Sequence, residues 1–356
     1  MSNSNQQRLL KVIQKLLFIL LFLFLLLIIA PFLFIHFGDL KDLYATSPKI
    51  ANNNTSNLND NTSKYWKAPS ISSLADNPTT KQIIYGHDLI AHTAKYLGPA
   101  GNVQKLSNGM NCQNCHLNAG TKVFGNNYGS VASLYPKFRA RSGTKESIYK
   151  RVNDCIQRSL NGNAIDSMGK EMQAIRAYIE FLGSNVEKGK KAEGSGFKDL
   201  EYLNRAANPI KGKEVYVKKC QNCHNDNGEG IMATDKIEYT YPPLWGVHSY
   251  NDGAGLYRIS NFAKYVKYNM PIGVSFESPQ LSDEEAWDVA AYVNSQPRPH
   301  KDTPQDWPDI SKKPVDHPFG PYADKFSELQ HKYGPFNPIV DKQKEREKAK
   351  TVLAKK

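Results

Sequence analysis

The pentapeptide Cys-Gln-Asn-Cys-His occurs twice in this chain, at 112–116 and at 220–224, and no other feature limits its fold so tightly. Cys-x-x-Cys-His is the attachment signature of c-type haem. Two thiols add to the porphyrin vinyl groups, and the adjacent histidine gives the iron one axial nitrogen. A zinc site would need paired Cys-x-x-Cys motifs or distant histidine pairs, and a thioredoxin-like motif does not need the histidine. Cys112, Cys115, Cys220 and Cys223 are therefore expected to carry two haem c groups, with His116 and His224 on the two irons. A bound haem replaces much of an ordinary core, so short helices and long loops can wrap it stably.

The two motifs start 108 residues apart, at 112 and 220, and their surroundings repeat. The segments TTKQIIYGHDLIAHTAKYLG and NPIKGKEVYVKKCQNCH precede them as expected helices. After them come GKEMQAIRAYIEFLG (169–183) and LSDEEAWDVAAYVNSQ (281–296), the second opened by Ser282 and a capping box completed by Glu285. Each half thus reads as one mono-haem domain.

A haem c iron needs a sixth ligand, often methionine. In the second half KYVKYNMP supplies Met270, with Pro271 stopping the preceding helix. The matching position in the first half, counted back from Tyr178, is residue 156, one step from Cys155. Met110, Met168 and Met172 are the other sulfur donors of that half. A lone cysteine at an apolar helical position can also be a small buried hydrophobe, and Ile148, Val152, Cys155 and Ile156 do share a face. The repeat favours Cys155 as the distal ligand of the first haem. On a helix over 147–160, Arg151 and Ser159 stand four residues to either side of it, while Arg139 and Arg141 lie on a loop upstream. Guanidinium groups hold oxyanions by forked hydrogen bonds and favour a thiolate.

Composition bounds the rest. Residues 16–35 form an uncharged run of twenty, with Arg8, Lys11 and Lys15 before it and Asp39 and Asp42 after. This reads as a single membrane-spanning helix with the N-terminus in the cytoplasm; a cleaved signal, leaving a soluble periplasmic protein, is the competing reading. The Asn/Ser/Thr-rich stretch that follows reads as a tether. The formal charge of +12, partly from the 341–356 tail, suits an anionic surface, an acidic redox partner or a small anionic substrate. A nucleic-acid role does not fit an exported chain.

From Tyr135 to Leu182, centred on RVNDCIQRS, the sequence resembles the thiosulfate dehydrogenases, periplasmic dihaem cytochromes c that join two thiosulfates into tetrathionate. YPPLWG (241–246), YNDGAG (250–255), NMP, SQPRP and KPVDHPFGPYADKFSELQHKYGPF (313–336) extend the resemblance over roughly residues 80 to 340. It implies Cys155 as the haem-ligating catalytic cysteine, Arg141 and Arg151 as substrate-binding residues, Ser159 as an active-site serine and Met270 as the distal ligand of the second haem. Some members carry a lysine ligand just before that methionine; here Asn269 stands there, so constant His/Met ligation is expected. The implied reaction forms a transient adduct between Cys155 and the outer sulfur of thiosulfate, which a second thiosulfate resolves. Tetrathionate reduction is the reverse reaction, and a small cytochrome c is the expected electron acceptor. A non-catalytic dihaem electron carrier is the alternative, and a dihaem peroxidase a third.

The expected architecture is all-α: two cytochrome c-type haem domains in tandem, with long loops, behind a transmembrane helix. Its parts are a cytoplasmic N-terminus (1–15), an anchor (16–37), a linker (38–80), a catalytic haem domain (81–195), an electron-transfer haem domain (196–300), and an irregular Pro-rich segment with a basic tail (301–356).

Overall fold

The computed structural model describes residues 14–25 and 64–353, the side chains of the last two excepted. The chain divides at Asn61, and residues 14–25, an exposed helix, belong to the first unit. No helix among the described residues is long and apolar enough to cross a membrane. The expected anchor over 16–37 is therefore not borne out among them, and its remaining residues, 26–37, lie outside the described part, as does most of the expected linker.

The second unit, from Thr62 onward, holds both haem motifs. Its first half is framed by α1 (Pro78–Ala91), α2 (Ile148–Arg158) and α3 (Lys170–Leu182). The second is framed by α4 (Pro209–Lys219), α5 (Ile259–Asn269) and α6 (Asp283–Ser295). The starts follow from local chemistry. Asn77 accepts from the Thr80 amide with Pro78 at the first turn, Asn208 does the same for Ile210 and Lys211 ahead of Pro209, and Ser147 caps Lys150. Ser282 and Glu285 exchange both hydrogen bonds of a capping box, at 3.1 and 2.8 Å. Met270 caps the end of α5, and Pro271 follows.

In each half the first and last helices cross at a glycine. A Cβ on Gly86 of α1 would lie 2.0 Å from the Ala174 carbonyl oxygen of α3. One on Gly212 of α4 would lie 1.9 Å from the Asp288 carbonyl oxygen of α6. Both backbone contacts fall four residues before the repeated tyrosine, Tyr178 or Tyr292, whose Cβ stands 2.8 Å away in each case. The repeat is thus a repeated helix crossing. Leu89, Met172, Ile175 and Tyr178 fill the first core; Tyr216, Phe262, Trp287 and Val293 fill the second.

Strand content is small: β1 (Lys137–Arg139) pairs antiparallel with β2 (Thr144–Glu146), and β3 (Ile231–Met232) with β4 (Tyr239–Tyr241). The fold is helical apart from these hairpins; Arg141 sits in the loop at the tip of the first one, whereas Arg139, expected on the same loop, ends β1. Two further expectations change. The end of the expected linker is already part of the first domain, because Trp66 is buried, donates Nε1 to Asn185 at 2.9 Å and bonds its amide to Glu193. The basic tail is not irregular either. It forms α7 (Glu328–Tyr333) and α8 (Asn337–Leu353), held because Phe336 and Ile339 are buried in the second core.

Candidate active site

The proximal histidines share one arrangement. His116 Nδ1 donates to the Asn126 carbonyl at 2.6 Å and His224 Nδ1 to the Pro242 carbonyl at 2.8 Å, taking the tautomer that these acceptors require. Each ring is thereby oriented with Nε2 left free for a metal, as the outer partner of a ligating histidine does. Burial lowers both pKa values, His116 to about 4, so both rings are neutral near pH 7. Tyr128 stacks on His116 at 4.5 Å.

Cys220, Cys223, His224 and Met270 line one apolar cavity, walled by Phe262, Tyr265, Val266, Val289 and Val293 among others. Two thiols, an imidazole nitrogen and a thioether on the wall of one apolar cavity are a donor set that fits haem c. The same cavity reaches Met110, Asn114 and Cys115 of the first motif, and the Tyr265 hydroxyl donates to the Asn114 carbonyl at 2.7 Å. The two haem sites therefore share a wall.

In the first half, burial foremost pushes the free thiols of Cys112 and Cys115 up to about 11 and about 12, and the charge of Cys155 adds to both. The Cys155 charge thus reaches both motif thiols. Of the other sulfur donors, Met168 is 77% exposed, Met172 is fully buried between α1 and α3, and Met110 faces the second cavity. Arg151 Nη1 donates to Cys155 Sγ at 3.1 Å, one helical turn away. The Cys155 charge, ahead of the opposing burial term, raises the Arg151 pKa. Ser159 is the C-cap of α2, and its amide donates to the Cys155 carbonyl at 2.7 Å.

Arg141 is pushed down to about 10, chiefly by burial and then by neighbouring Arg158, with Arg151 and Arg139 adding to the effect. Of these arginines, Arg151 is the one in contact with the Cys155 sulfur. The Arg141 Nε is buried without a hydrogen-bond partner. A buried N–H left unpaired is costly, and a bound oxyanion would satisfy it. Arg158 and Asp306 were not foreseen from sequence. Arg158 stands three residues past Cys155, so helical spacing alone could have flagged it; Asp306, 148 residues further on, left no local signal.

His87 contacts Tyr178 edge-on at 5.4 Å and His92 pairs with Glu238, so both are occupied structurally. His331 is buried, stacked on Tyr322 and bonded to Val315 and Asp324.

Comparison with known proteins agrees with the two-part layout. Residues 102–187 match the family model described as SoxA/TsdA, cytochrome c domain, and residues 210–297 match that for cytochrome c. A thiosulfate dehydrogenase of Psychrobacter arcticus is 35% identical over 243 residues, covering 68% of this chain and 71% of that protein. Those of Stutzerimonas stutzeri and Allochromatium vinosum are each 33% identical over 235 residues, covering 66% and 65% of this chain and 73% and 83% of theirs. Among solved structures, the thiosulfate dehydrogenase (TsdBA) of Marichromatium purpuratum, in its as-isolated form, superposes with a TM-score of 0.61 at 28% identity. That match covers 67% of this chain and spans half of the other. Two cytochrome c domains bring two covalently bound haem c groups.

Proposed function

This chain belongs to the thiosulfate dehydrogenase family of oxidoreductases, and from that premise we propose that it oxidises two thiosulfates to tetrathionate at Cys155. The observation that carries the reading is the 3.1 Å hydrogen bond from Arg151 to the Cys155 sulfur, beside the first attachment motif. His116 and Cys155 would hold the first iron, and His224 and Met270 the second. When bound, the two haems together accept two electrons, the thiolate-held one having the lower potential and the His/Met one the higher.

The residues of the chain divide the remaining work. Arg151 holds the Cys155 sulfur in place by its hydrogen bond. Arg141, with its unpaired buried Nε, takes a sulfonate oxygen and aims the outer sulfur of thiosulfate at Cys155 Sγ. Ser159, one turn beyond, closes the same stripe. The thiolate and the outer sulfur join in an S–S bond with loss of two electrons, leaving Cys155–S–S–SO₃⁻. The outer sulfur of a second thiosulfate then attacks the sulfur next to the sulfonate. A new S–S bond forms, the bond to the cysteine sulfur breaks, and tetrathionate departs with the Cys155 thiolate restored. Run backwards with two electrons supplied, the same steps reduce tetrathionate.

The electrons leave through the second half to an external acceptor, with a small cytochrome c the fitting class. Haem c domains place this chemistry outside the cytoplasm. Mass spectrometry of the oxidised holoprotein, given thiosulfate and no acceptor, tests the reading. The Cys155–S–S–SO₃⁻ adduct, one thiosulfate heavier than the free cysteine, is expected on the peptide carrying Cys155. An adduct on no peptide, or on another residue, in protein that makes tetrathionate once an acceptor is added overturns it.

A further inference from the structure

Three consecutive residues of the C-terminal segment meet the hairpin tip that carries Arg141. Asp306 receives a fork from Arg158, Nη1 to Oδ2 and Nη2 to Oδ1, both at 2.8 Å, and its Oδ2 lies 3.9 Å from Arg141 Nε. The Trp307 amide donates to the Arg141 carbonyl at 2.6 Å, and its ring lies 5.7 Å from the Arg141 guanidinium carbon. Pro308 packs on Gly143, where an added Cβ would come within 2.6 Å of Pro308 Cγ. From the second half, the Gly253 carbonyl accepts from Nη1 of both Arg141 and Arg158 at 3.4 Å.

Two half-buried guanidinium groups side by side repel each other and sample many rotamers unless something pins them. Among the described residues, Asp306 is the one carboxylate paired with either arginine. We propose that residues 306–308 are a clamp, with Asp306 and Trp307 as positioning residues that hold Arg141 ready for the sulfonate of the substrate. The substrate site of the first haem domain is thereby completed by chain from beyond the second. This inference rests on Arg141 binding substrate.

The sign of one substitution separates positioning from simple electrostatics. Removing a negative charge beside an anion site should tighten anion binding, whereas releasing Arg141 should weaken it. In steady-state kinetics of the holoprotein, Asp306→Asn is expected to raise KM for thiosulfate about tenfold, the scale of one charge-assisted hydrogen bond, with kcat within about twofold. Arg141→Gln raises KM as well, and adding Asp306→Asn to it changes KM little further, because both act through one group. Trp307→Ala raises KM, and Trp307→Phe, which keeps an aromatic face beside the guanidinium, restores most of it. An unchanged or lowered KM in Asp306→Asn, or additive effects in the double variant, overturns the clamp. If the wild type turns over no thiosulfate, the functional reading fails by itself, and deuterium exchange across 139–146 still decides the clamp. Faster exchange in Asp306→Ala supports it, and unchanged exchange overturns it.

Discussion

At the scale of single residues, the proposed chemistry depends on one sulfur and the cation beside it. Arg151 reaches Cys155 because a helix places residues four apart on one face, and both stand on α2. Replacing Arg151 by Gln removes the cation bonded to the Cys155 sulfur while leaving a polar side chain in place. Activity, kcat/KM for thiosulfate, is expected to fall about a hundredfold, the scale of losing one preorganised donor. Both haems should remain attached, as their absorbance will show. Wild-type kinetics in this variant would separate Arg151 from the reaction. The pair was legible in the sequence for the same reason that it works, the fixed helical period. Arg158 carries an equally plain spacing signal from Cys155, but its meaning depends on Asp306, a contact made by tertiary folding and invisible to any local pattern.

At the scale of elements, the two halves are built by the same crossing. Gly86 and Gly212 let one helix lie against the backbone of another, and each contact comes four residues before the repeated tyrosine. Replacing glycine by alanine inside a free helix stabilises it by roughly 0.5–1 kcal/mol. Here the added methyl would overlap a carbonyl oxygen at 2.0 Å, so Gly86→Ala is expected to destabilise the protein by about 1–3 kcal/mol in denaturant unfolding. A stabilising result would mean that the helices do not cross so closely. The helix starts were legible because Ser282, Glu285 and the Asn-Pro pairs act locally. The tail was misread for the opposite reason. Its prolines suggested irregular chain, yet Phe336 and Ile339 tie the start of α8 into the second core. The hairpin under Arg141 escaped too, since three-residue strands leave almost no periodic trace.

At the scale of the whole molecule, the two haem sites are neighbours in one compact unit. Cys115 and Asn114 of the first motif line the second cavity, Tyr265 bonds across to Asn114, and Asn251 bonds back to Gln157 and Asn161 beyond Cys155. In the proposed reaction, electrons released at Cys155 would pass to this adjoining site, and the proposed clamp at 306–308 ties the far end of the chain to the first. The measurement that bears most directly on this picture is thiosulfate-dependent ferricyanide reduction with tetrathionate quantified, by the haem-loaded protein beside its Cys155→Ala variant. The wild type should form one tetrathionate for every two electrons delivered, and the variant, keeping both haems, should form none. Tetrathionate made by the variant at the wild-type rate would contradict the central role of Cys155.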